Sequence, residues 1–295
     1  MTVSLVHLSD LHFGGLADLA QVEAVEALVP DLEPDAVVVS GDLTQRARHG
    51  EFQRARAFVR ELGRAGPVYV LPGNHDVQWW WRPFVPFGSA AKYRKYRQYF
   101  GPELTPTLDL PGVLITGALT SHGAAWGSLT PRLRDVAVKG HLSKSAIARA
   151  TATFGKARPE QARVLVLHHN VLRGGLSRRM GLARWRTAQR RIVASGADVV
   201  LCGHDHQEQV ETLGGAVVAC AGTLSTRSRG GRPSVFFRLL IEADAIHVEQ
   251  YRWDASRRVF RRSDRHQFAR RRVAADPAVG AVTADRAVED GHRRS

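Results

Sequence analysis

The chain has 295 residues with 44% hydrophobic and 24% charged side chains, enough for one large core or two modest ones and ordinary for a globular protein. No apolar run approaches the roughly 20 residues of a membrane span, and the first residues, Met1-Thr2-Val3-Ser4-Leu5-Val6-His7, lack the basic start and long apolar stretch of a signal peptide. The formal net charge is +14, almost all of it arginine, since lysine occurs only at positions 92, 95, 139, 144 and 156. With Ala, Gly and Val also abundant, this balance reads as a coding bias spread along the chain rather than as a nucleic-acid footprint. Cys202 and Cys220 lie in apolar, strand-like runs and read as small core residues rather than as a disulfide or a metal pair. These features predict a cytoplasmic protein.

In chain order, Val3–Leu8 reads as a buried strand running into Ser9-Asp10-Leu11-His12, where Asp10 and His12 are two apart and an extended backbone turns both to one side. A Gly14-Gly15 loop and a helix over about 18–28 follow, with Pro30 and Pro34 bracketing the return. Ala36–Ser40 is a second buried strand, ending in Gly41-Asp42. A helix carrying Phe52, Phe58, Val59 and Leu62 leads to the third strand, Val68–Leu71, and its abrupt Pro72-Gly73 turn. Just past that turn stand an amide, an imidazole and a carboxylate: Asn74, His75 and Asp76. Three βα repeats of this kind predict parallel strands whose C-terminal ends lie side by side, where α/β sheets hold ligands.

The middle is less regular. Trp79, Trp80 and Trp81 follow the third strand end, suited to stacking a base, to core packing or to an oligomer contact that leaves a homodimer open. A basic, aromatic helix over 90–100, a loop over 101–111 and a strand over 113–117 come next. Gly140-His141-Leu142-Ser143 reads as a turn and N-cap before a helix over 144–153. The strand 163–167 ends in His168-His169-Asn170, followed by a loop in which Arg173, Arg178, Arg179 and Arg184 could meet phosphate. A helix over 185–194 leads to the strand 198–202 and then Gly203-His204-Asp205-His206. Short strands at 208–213, 216–221, 235–241 and 245–253 complete the folded part. The expected organisation is a domain over 1–262 and a basic, disordered tail over 263–295.

Carboxylate, imidazole and amide donors gathered on strand ends suit divalent Mn, Fe or Zn, and there are more of them than one ion needs. Two ions about 3.5–4 Å apart, sharing a carboxylate, would use them all, lowering the pKa of a bound water and clamping an in-line displacement at phosphorus.

Asp10-Leu11-His12, Gly41-Asp42, Gly73-Asn74-His75-Asp76, the strand-ending His168 and Gly203-His204-Asp205-His206 resemble, in the same order, the five-part signature of the calcineurin-like metallophosphoesterase superfamily. The resemblance covers about residues 3–253 and implies a four-layer α/β/β/α sandwich of two mixed sheets flanked by helices. It implies one ion on Asp10, His12 and His206, a second on Asn74, His168 and His204, and Asp42 bridging them. His169 is the alternative to His168. His75 takes the role of steadying the phosphoryl oxygen and protonating the leaving alkoxide, oriented by Asp76. The Ser9–Gly14, Gly41–Thr44 and Leu71–Asp76 stretches are similar to the bacterial class III cyclic-nucleotide phosphodiesterase branch. This implies a small phosphodiester substrate, with Trp79, Trp80, Arg173 and Arg178 as candidate contacts. The competing reading is a nuclease or repair protein using the same site. It is disfavoured by the short stretch after Trp253, where nuclease relatives usually add a capping domain.

Overall fold

The computed structural model of the chain describes residues 1–77, 90–122 and 139–270. Strands β1 (Val3–Leu8), β2 (Ala36–Val39) and β3 (Val68–Val70) alternate with helices α1 (Leu19–Asp31) and α2 (His49–Leu62). They are followed by α3 (Arg94–Phe100), β4 (Thr107–Leu110), β5 (Val113–Gly117), α4 (Lys144–Phe154), β6 (Ala162–His169), α5 (Trp185–Ala194) and β7 (Val199–Gly203). A run of strands closes the fold: β8 (Gln209–Leu213), β9 (Ala216–Cys220), β10 (Val235–Ile241), β11 (Ala245–Asp254) and β12 (Val259–Ala269).

The strands form two six-stranded sheets, ordered β12-β11-β10-β1-β2-β3 and β4-β5-β6-β7-β9-β8. Parallel pairs β1–β2 and β2–β3 in one sheet, and β5–β6, β6–β7 and β7–β9 in the other, carry the buried valine-rich runs. Leu5, Val38, Leu71, Val164, Leu201 and Phe237 fill the space between the sheets. Val25, Phe52 and Phe58 pack α1 and α2 on the outer face of the first sheet, and Ile147, Phe154 and Ile192 pack α4 and α5 on that of the second. The result is the expected four-layer α/β/β/α sandwich.

Two helix starts have a clear local cause. The Asp18 carboxylate accepts from the Ala20 and Gln21 N–H groups, 3.1 and 3.3 Å, and caps α1. Ser143 caps α4 through the Ala146 N–H at 3.0 Å. Pro30 lies inside α1 rather than beyond it, one residue before the helix ends, and gives up a single ladder bond.

Two elements depart from expectation. Residues 107–110 form β4 instead of a loop, paired antiparallel to β5 through a tight turn with Gly112 at φ +79°. The flanking prolines are tolerated because β4 is an edge strand. The folded part also runs on past Arg262, through β12 to Ala269, along the edge of the first sheet. Its apolar alternation was illegible because a bulge opposite Gln250/Tyr251 shifts the register. Phe260 therefore joins the outer core and Phe268 packs against the core between the sheets, although they are an even number of residues apart.

Arg270, expected in a flexible tail, is a clamp between the sheets: its guanidinium donates to the Glu242 and Glu160 carbonyls, 3.1 and 3.3 Å, and lies 3.8 Å from Asp198. Arg271, Arg272 and the rest of 271–295 lie outside the described residues. Truncation after Arg262 should therefore cost about 3 kcal/mol or more through the lost Phe268 burial and Arg270 hydrogen bonds. Truncation after Arg270 keeps both and serves as the reference. Thermal melts of the two proteins check this, with an expected separation of roughly 6–12 °C.

Candidate metal centre

The C-terminal ends of β1, β2, β6 and β7 meet at one rim of the sandwich, and the turn after β3 joins them. The chain leaves β1, β2 and β7 by the same device, a residue in the left-handed region: Asp10 (φ 56°), His12 (φ 49°), Asp42 (φ 51°), His204 (φ 75°) and His206 (φ 54°). Each such conformation costs a non-glycine residue of order 1 kcal/mol, and clustered strain of this kind marks a functional site. Gly41 (φ +97°) permits a close approach: a Cβ there would stand 2.6 Å from the Gly73 backbone nitrogen. The loops are tied by Asp10 N–H to Gly41 O and His12 N–H to Asp42 O, both 3.0 Å.

Each carboxylate spends one oxygen on the protein and aims the other inward. Asp10 Oδ2 accepts from the Ser9 hydroxyl and the His204 N–H, 2.6 and 2.8 Å, while Oδ1 is buried without a hydrogen bond. Around that oxygen stand His206 Nε2 at 3.2 Å and His12 Nε2 at 3.7 Å, with the two imidazole nitrogens 2.9 Å apart. Asp42 Oδ1 accepts from the His75 N–H at 2.8 Å, while Oδ2 lies 3.3 Å from His168 Nε2 and 3.8 Å from His12 Nε2. On the far side, Asn74 Oδ1 is 3.0 Å from both His168 Nε2 and His204 Nδ1, which are 3.3 Å from each other.

The tautomers follow from the outer partners. His168 Nδ1 donates to the Ser40 carbonyl at 2.9 Å and His206 Nδ1 to the Arg227 carbonyl at 2.8 Å, so a lone pair faces inward on each neutral ring. Carboxylate oxygens, an amide oxygen and imidazole lone pairs converge, an arrangement only positive charge can hold. Burial opposes ionisation of Asp10 and Asp42, yet the imidazoles facing them hold both carboxyls below the usual range. Burial would lower His168, but the Asp42 charge outweighs it and raises the ring to about 9. His204 is pushed down to about 3 by burial and by the His168 ring. Burial would lower His206 too, but the Asp10 charge and its hydrogen bonds raise it. The donor set fits two divalent ions, with Asp42 Oδ2 facing both groups.

The His168 ring approaches Asp42, whereas His169 meets the Thr120 hydroxyl through Nδ1 at 2.9 Å and keeps a ring nitrogen within 4.8 Å of nitrogens of His168 and His204. Asp76 does not reach the His75 ring, so the expected orienting contact is absent. Its carboxylate instead accepts from Leu43 N–H (3.1 Å), Thr44 N–H (2.8 Å), Gly73 N–H (2.9 Å) and the Thr44 hydroxyl (2.8 Å), fastening the turn after β3 to the loop after β2. Burial and the Asp42 charge push this carboxyl up to about 6, against the pull of those N–H and O–H groups. The His75 ring is oriented by the Gln45 carbonyl, to which Nδ1 donates at 2.8 Å. It stands edge-on to His12, with ring centroids 4.9 Å apart.

A cavity of about 440 Å³ opens over Asp42, Asn74, His75, His204 and His206. It is also lined by Arg179, Arg227, Arg229 and Lys139, not by Arg173 and Arg178. Arg173 Nε donates to the Arg178 carbonyl at 3.0 Å and closes the loop on itself, and Arg178 is exposed in a left-handed turn (φ 56°). Arg227 and Arg229 come from the loop after β9, which no spacing pattern singles out. Trp79, Trp80 and Trp81 lie outside the described residues. Among the described residues no helix is long and apolar enough to cross a membrane.

Known proteins resemble this chain in sequence and fold. The chain is 33% identical over 138 residues to the glycerophosphodiester phosphodiesterase GpdQ of Enterobacter lignolyticus, covering 41% of this chain and 46% of that protein. It is 32% identical over 109 residues to a zebrafish transmembrane protein with a metallophosphoesterase domain, covering 34% and 24%. These matches span less than half the length of either relative. A crystal structure of a dimetal phosphatase from Danio rerio has the same fold, with a TM-score of 0.62 at 13% identity over 91% of this chain and 99% of that one. The family model described as calcineurin-like phosphoesterase matches residues 3–208, a span that holds every residue of the centre, and the chain belongs to this family.

Proposed function

We propose that the protein is a phosphoric ester hydrolase that uses two divalent metal ions to cleave small phosphodiesters. The observation that carries this is the pair of acceptor groups, Asp10, His12 and His206 on one side and Asn74, His168 and His204 on the other, with Asp42 Oδ2 between them. When bound there, two ions of the Mn, Fe or Zn type supply Lewis acidity and an activated water for in-line displacement at phosphorus.

The chain's own residues do the rest. The carbonyls of Ser40 and Arg227 fix the rings of His168 and His206, so the centre is organised before substrate arrives. His75, held through Nδ1 by Gln45, turns Nε2 to the cavity floor, where it can steady a phosphoryl oxygen and hand a proton to the leaving alkoxide. Asp76 positions this turn and touches no substrate. The cavity volume of about 440 Å³ lies in the range of sites that take compact ligands. A phosphodiester preference is supported by the likeness to the phosphodiesterase GpdQ.

The Mn-loaded protein should hydrolyse bis-p-nitrophenyl phosphate faster than p-nitrophenyl phosphate, and cyclic AMP or another small diester faster than single-stranded DNA. A preference for the monoester would overturn the diester assignment, and a preference for DNA would favour the nuclease reading.

A further inference from the structure

The segment after β7 alternates between residues of the metal centre and residues that hold the cavity wall. His204 and His206 face inward. Between them the buried Asp205 accepts from the Ser177 hydroxyl at 2.8 Å and from the Arg229 guanidinium at 3.1 Å, while Arg229 Nε donates to the Asp205 carbonyl at 3.0 Å. The next residue, Gln207, accepts from the Leu176 N–H at 2.8 Å. His206 itself donates to the Arg227 carbonyl at 2.8 Å.

The loop that presents Arg179 and the loop that presents Arg227 are therefore both pinned to the segment that carries two of the candidate ligands. The Arg179 loop is also closed internally, Gly174 N–H donating to the Arg179 carbonyl at 2.9 Å. Loops tied in this way hold the backbone of Arg179 and Arg227 beside the cavity that both residues line. Arg229 is neutralised by Asp205, but no carboxylate pairs with the side chains of Arg179 or Arg227 among the described residues. Two arginines lining the cavity beside the candidate ligands exceed what one scissile phosphodiester, with a single negative charge, requires.

We propose that Arg179 and Arg227 form a second phosphoryl-binding site, so that the preferred substrate is a small phosphodiester bearing an additional phosphate group. The forked guanidinium suits a phosphoryl dianion. This specificity rests on the hydrolase reading above, but binding can be measured without turnover.

Two matched substrates isolate the effect: thymidine 5′-(p-nitrophenyl phosphate) and the same ester with a 3′-phosphate share scissile bond and leaving group. The 3′-phosphorylated ester should show a kcat/KM higher by about tenfold or more, and the R179Q/R227Q double variant should bring that ratio within about twofold of one. In calorimetry on the Mn-loaded protein, thymidine 3′,5′-bisphosphate should bind more tightly than thymidine 5′-monophosphate, and the double variant should lose the difference. Equal kcat/KM for both esters in the wild-type protein, an unchanged ratio in the double variant, or faster turnover of oligothymidylate than of the bisphosphate ester would each overturn the proposal. Should neither ester be hydrolysed, the hydrolase reading fails, while the calorimetric preference still decides whether the second phosphate site exists.

Discussion

Asp42→Asn is expected to lower kcat/KM for phosphodiesters on the order of 10³-fold, the upper range for one preorganised electrostatic group, and to reduce bound metal. The substitution keeps the side-chain size and the oxygen that accepts from the His75 N–H. It must then turn an amide NH2 toward His168 Nε2 and His12 Nε2, where the carboxylate oxygen now lies 3.3 and 3.8 Å away. A donor would face the point where both acceptor groups converge, so both ions lose a ligand together. Changes at His12 or His204 should cost less, since each touches one group alone. Metal analysis beside steady-state kinetics checks this, and wild-type turnover with two ions bound would remove Asp42 from the shared position.

His75→Ala should lower kcat by about 10²–10⁴-fold while leaving metal content intact. The ring hangs on the Gln45 carbonyl and meets His12 only edge-on, so it can be removed without loosening the acceptor groups. The loss should shrink for esters with good leaving groups such as p-nitrophenolate, which need little protonation, and stay large for alkyl esters. An equal loss for both would limit His75 to steadying the phosphoryl oxygen. His75 also lies within reach of His12 and Asp42 as a potential ligand. Loss of one ion from the alanine variant would therefore move it into the ligand set.

The strand-end residues were legible in the sequence because each follows a short buried run and carries a donor that buried strands otherwise avoid. Asp10, Asp42, Asn74, His168 and His204 could be collected before any geometry was known. The choice between His168 and His169 was not legible, because both rings have an outer partner, the Ser40 carbonyl and the Thr120 hydroxyl, and they differ in the approach of His168 to Asp42. Asp76 was misread for a related reason: adjacency to His75 suggests contact, but the turn sends its carboxylate to four donors on neighbouring loops.

The arginines of the cavity wall were hidden further. Their positions are set by Asp205 and Gln207, which interleave with His204 and His206 and reach loops that start far away in sequence. Strand β12 escaped because a bulge breaks its alternation and its outer face is polar. Periodicity marks a strand only where one face stays buried throughout.

The central claim is that two ions act together in this centre. Manganese titrated into chelator-stripped protein, with hydrolysis of bis-p-nitrophenyl phosphate followed at each addition, tests it most directly. Activity is expected to be absent from the stripped protein and to reach its plateau at two equivalents per chain; full activity at one equivalent, or turnover without added metal, would contradict it.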